Sequence, residues 1–169
     1  MQIEILINRV LQAVILLALQ VLLFNHVHLG LYAVPLVTVL FVVWCPLNTP
    51  SVRLMIVSFL LGLVQDIFSG TLGVSAAAMT AVAFVQHPLF SAQAPRECVE
   101  TLTPSIESLG WIKYPIYQFV LFAVHHAVFY SLLIYRIENI KEAMLSCLAS
   151  LAVSYILGLL TAYGRKAGA

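Results

Sequence analysis

Few residues of this chain could carry chemistry, and most of those lie inside long apolar stretches. Asp66 is foremost, an isolated carboxylate in the run Gly62-Leu63-Val64-Gln65-Asp66-Ile67-Phe68-Ser69-Gly70-Thr71-Leu72-Gly73. A charged group placed there is costly in hydrocarbon and needs a partner, so it marks a packing or functional centre. It lies about one turn from the end of its own apolar stretch, where the helix macrodipole disfavours negative charge, which argues against a capping role. A hydrogen-bond hub is expected, or an ion pair with Arg136 or Lys141, with a proton or substrate site as the sharper alternative.

His125 and His126 sit midway along a later apolar stretch, and Gln118 shares a face with His125 at i and i+7. Neighbouring side chains on a helix cannot face the same way. A neutral imidazole hydrogen-bonded to another helix is the expectation, because metal ligation needs further ligands that the sequence does not place nearby. No metal or other cofactor is expected. Gln12 and Gln20 are expected to hydrogen-bond between helices in the same manner. Gly73-Val74-Ser75-Ala76 loosely resembles the serine motif of rhomboid proteases, with a later histidine as base. In that family the base lies on the sixth helix and glycine follows the serine, whereas Ala76 follows here, so an enzyme is not expected. Cys45, Cys98 and Cys147 are odd in number and widely spaced, which supports neither a disulfide framework nor a zinc site.

These residues must be positioned by helices in a bilayer. Apolar residues make up 62% of the chain and charged residues 9%, against about 25% charged in soluble domains, and the mean hydropathy is +1.02. The net charge of +1 offers no basic footprint for a phosphate backbone, so nucleic acid is not an expected partner. A crossing helix needs about 20 mostly apolar residues. About six stretches qualify, over residues 5–24, 29–45, 52–68, 72–86, 112–135 and 143–163, and the whole chain forms a single all-α transmembrane domain. Connections such as Pro46-Leu47-Asn48-Thr49-Pro50 and Ser69-Gly70-Thr71 are short and rich in helix breakers, so successive helices are antiparallel neighbours. Residues 87–111 form a polar surface loop with a short helix after Pro104.

Lys and Arg accumulate on the cytoplasmic side of bilayers. With a cytoplasmic N-terminus, that side holds Arg9, Arg53, Arg96, Lys113, Arg165 and Lys166, and the other side only Arg136 and Lys141. Both termini are therefore expected in the cytoplasm, with Arg9 snorkelling to the head groups. Small residues then supply the packing faces: Ser146, Ser150, Ser154, Gly158 and Ala162 in the last span, and Ser58, Gly62 and Asp66 facing Gly73, Ala77 and Ala81 across a tight hairpin.

The run from Gly62 to Gly73 resembles the signature of the MreD family, G-x3-D-x2-S-G followed by L-G, closing a third span and opening a fourth. Leu19-Gln20-Val21, Asn25-His26-Val27-His28-Leu29, Pro35 and Pro46-Leu47-Asn48-Thr49-Pro50 extend the likeness towards Bacteroidota-type members, and it thins after residue 86. The resemblance implies a non-catalytic scaffold of the bacterial elongation complex in the cytoplasmic membrane. Its partner would be MreC, and indirectly RodA, a class B penicillin-binding transpeptidase and MreB. It also implies a fold like the S components of energy-coupling-factor transporters. A small-molecule-binding transporter subunit, built on Asp66, His125 and Gln118, is the alternative. The implied interaction hub is Gly62, Asp66, Ser69, Gly70, Leu72 and Gly73, with Gln20, Gln118, His125 and His126 as intramembrane polar groups.

Overall fold

The computed structural model describes residues 2–24, 34–46, 48–71, 73–93, 103–133 and 140–167. Among them there are helices and no strands: α1 (Gln2–Leu19, continued by a π-turn Gln20–Phe24), α2 (Leu40–Val43), α3 (Ser51–Ser69), α4 (Val74–Gln93), α5 (Ile106–Leu133) and α6 (Ile140–Ala167). Four of these, α3 to α6, are long and apolar enough to cross a membrane. The chain is a helical membrane protein.

Its polarity is distributed for lipid rather than water. Val52, Ile56, Leu60 and Ile67 on α3, and Met144, Leu148, Ile156 and Leu160 on α6, are exposed. Gln20, Gln65, Asp66, Gln86, Gln118, His125, His126, Ser150 and Ser154 are buried. Lipid tails are as apolar as leucine, so nothing drives the large apolar side chains inward, while polar groups must find partners inside.

α3 packs along α4, α4 along α5 and α5 along α6. Residues 34–46 thread into the middle of this assembly, where Val39, Val42 and Val43 have no exposed surface. The stretch 29–45, expected as one helix, is α-helical among its described residues only at Leu40–Val43, with residues 34–37 in no regular structure. Pro35 contributes to the break, because it lacks the N–H that a helix would use.

Other boundaries shift modestly. α4 was expected to end at 86 and runs through Pro88 to Gln93, where the Lys113 ammonium donates to the Gln93 carbonyl at 3.2 Å. The Ser91 hydroxyl donates to the His87 carbonyl at 2.9 Å within the turn that follows Pro88. The short helix expected after Pro104 is present, and Gly110 at φ 83° and ψ 170° kinks it into the main part of α5.

Candidate functional site

The run from Gly62 to Gly73 builds the α3–α4 hairpin. α3 ends where Gly70 takes φ 66°, and the main-chain carbonyl of Asp66 accepts the N–H groups of Gly70 and Thr71. α4 then begins after Gly73, which has no side chain with which to cap it. The first turn of a helix presents unpaired N–H groups that prefer an anionic acceptor. Asp66 supplies one: Oδ1 accepts the Ser75 N–H at 2.9 Å and the Thr71 hydroxyl at 2.8 Å, and Oδ2 accepts the Ala76 N–H at 3.0 Å. The expectation that capping was a poor role for this carboxylate is corrected. It considered only the helix that carries Asp66, whereas the cap is made to the next one. These hydrogen bonds make the hub by themselves; of the two cations expected as ion-pair partners, Lys141 is exposed and Arg136 lies outside the described residues.

Gly62 fixes how closely the two helices meet. A Cβ there would lie 2.5 Å from the Ala76 Cα and 2.7 Å from its N, so a side chain would push α4 away from the carboxylate. Ser69 is half-buried, and Leu72 lies outside the described residues.

A second set of polar side chains serves the broken segment. Gln20 Nε2 donates to the Pro35 carbonyl at 3.0 Å, while its Oε1 accepts the Val37 N–H at 2.8 Å. Ser154 Oγ accepts the Leu36 N–H at 2.8 Å, and Ser150 Oγ accepts the Val34 N–H at 3.0 Å. Further along, Gln86 donates to the Cys45 carbonyl at 2.9 Å and Tyr117 to the Val43 carbonyl at 3.1 Å. Irregular backbone at membrane depth persists only where protein replaces the missing partners. The Ser146-to-Ala162 stripe thus does more than pack helices, since two of its serines act as backbone surrogates. Arg9, expected to snorkel, donates to the Trp44 carbonyl and to Gln12, both at 3.1 Å, so Gln12 bonds within its own helix rather than between helices.

The histidines depart from expectation. His126 Nδ1 meets the Phe122 carbonyl of its own helix at 2.8 Å, and its ring stacks between Phe122 and Tyr130. His125 stacks on Phe129, and neither of its ring nitrogens has a hydrogen-bond partner among the described residues. Gln118 Nε2 reaches the Tyr155 carbonyl of α6 at 3.4 Å beside Gly158, which is the interhelical contact expected of it. Ser75 Oγ has no partner and no serine–histidine hydrogen bond exists among the described residues, nor does any group of three metal-ligating side chains.

A cavity of about 390 Å³ lies against the hairpin. Val21, Leu36, Phe68, Phe129 and Leu133 form apolar walls, and Gln65, Ser69, Thr71, Ser75 and Tyr130 a polar side. Asp66, Gln118 and His125, on which the small-molecule alternative rested, do not line it. Gln65 was missed in the sequence. The only signal was its position directly before Asp66, which puts it on the neighbouring edge of the same buried face.

No family model, curated protein or solved structure matches this chain. The function therefore has to be argued from the hairpin, the broken segment and the sequence signature.

Proposed function

We propose that the chain is a non-catalytic scaffold subunit of the bacterial elongation complex, helping to organise lateral peptidoglycan synthesis and cell shape as MreD does with MreC. One observation carries the reading: the signature's defining carboxylate is spent on structure. Asp66 accepts three hydrogen bonds that join α3 to α4, with Gly62 setting the spacing and Gly70 the turn. Such a motif maintains a rigid surface that other membrane helices can recognise, and needs no substrate to explain it. On this reading the protein lies in the cytoplasmic membrane with both termini inside. It crosses about six times in the manner of an energy-coupling-factor S component, and acts through MreC on RodA, the class B transpeptidase and MreB.

The test is purification from native membranes in a gentle detergent with a tag on this chain. An MreC-like bitopic protein should be recovered with it, accompanied by a RodA-like multi-span protein. Recovery of neither from membranes that contain both overturns the proposal.

A further inference from the structure

We draw no further inference here: the strongest candidate, the cavity of about 390 Å³ between the α3–α4 hairpin, the segment at Leu36 and the end of α5, carries none, because Gln65 Oε1 and Ser75 Oγ are sealed from it and residues outside the described ones adjoin its lining at Val34, Thr71 and Leu133, so that nothing in the structure shows what covers it.

Discussion

The carboxylate of Asp66 accepts the backbone N–H of Ala76 at 3.0 Å, ten residues on and across a helix boundary. A single side chain near the end of α3 thereby caps the first turn of α4, and its own carbonyl closes α3. Its negative charge meets the positive end of the α4 macrodipole, which outweighs the unfavourable end of its own helix because the α4 N–H groups bond it directly.

Asp66→Leu should therefore lower stability by about 2 kcal/mol or more, since it orphans two N–H groups and a hydroxyl in a dry site. Asp66→Asn keeps one acceptor oxygen and should lose less. Ser75→Ala should be close to neutral, because its hydroxyl makes no hydrogen bond among the described residues. Thermal unfolding of the three variants in one detergent provides the ranking, and equal loss in Asp66→Leu and Ser75→Ala would refute the cap.

Gly62→Ala is expected to cost on the order of 1–3 kcal/mol, the range for overpacking, because the added methyl meets the backbone of Ala76. Gly164→Ala, near the end of α6, is the control, because nothing lies within 4 Å of its new Cβ and the helix gains up to about 1 kcal/mol of propensity. The unfolding midpoint should drop for Gly62→Ala and change little for Gly164→Ala.

Gly70→Ala should cost about 1 kcal/mol through conformation alone, since φ is 66° and nothing lies within 4 Å of the new methyl. Gly70→Asn should be milder, as asparagine tolerates the left-handed region. A larger loss in the asparagine variant than in the alanine variant would contradict this account.

Gln20→Leu combined with Ser154→Ala strips the partners from Pro35, Leu36 and Val37. Each backbone group left unpaired should cost about 1–3 kcal/mol. Hydrogen exchange at the Leu36 and Val37 amides should speed up well before exchange in α4 or α5 does. Unchanged protection at those two amides would show that the side chains are not their partners.

How much of this could be seen beforehand differs from element to element. The α3–α4 hairpin was legible, because Ser69-Gly70-Thr71 is too short for anything but a tight reversal and the small residues on both sides permit close approach. The interruption at residues 34–37 was not, since an apolar run reports only that a segment is buried in lipid or protein. Continuity of its helix depends on what lies opposite, here the amide of Gln20 and the hydroxyls of Ser150 and Ser154. Gln65 was passed over because nothing local distinguishes a glutamine that faces a partner from one that faces a cavity.

Composition by itself determined that this is a helical membrane protein, since the solvent preference of 169 residues sums along the chain without regard to their arrangement. Local spacing likewise determined the hairpin and its glycine turn. Which polar groups meet was decided by tertiary structure alone: Asp66 with the start of α4, Gln20 with the unwound segment, and Gln65 with the cavity. A hydrogen bond in a low-dielectric interior depends on distances of a few tenths of an ångström between elements, and only the folded bundle sets those distances.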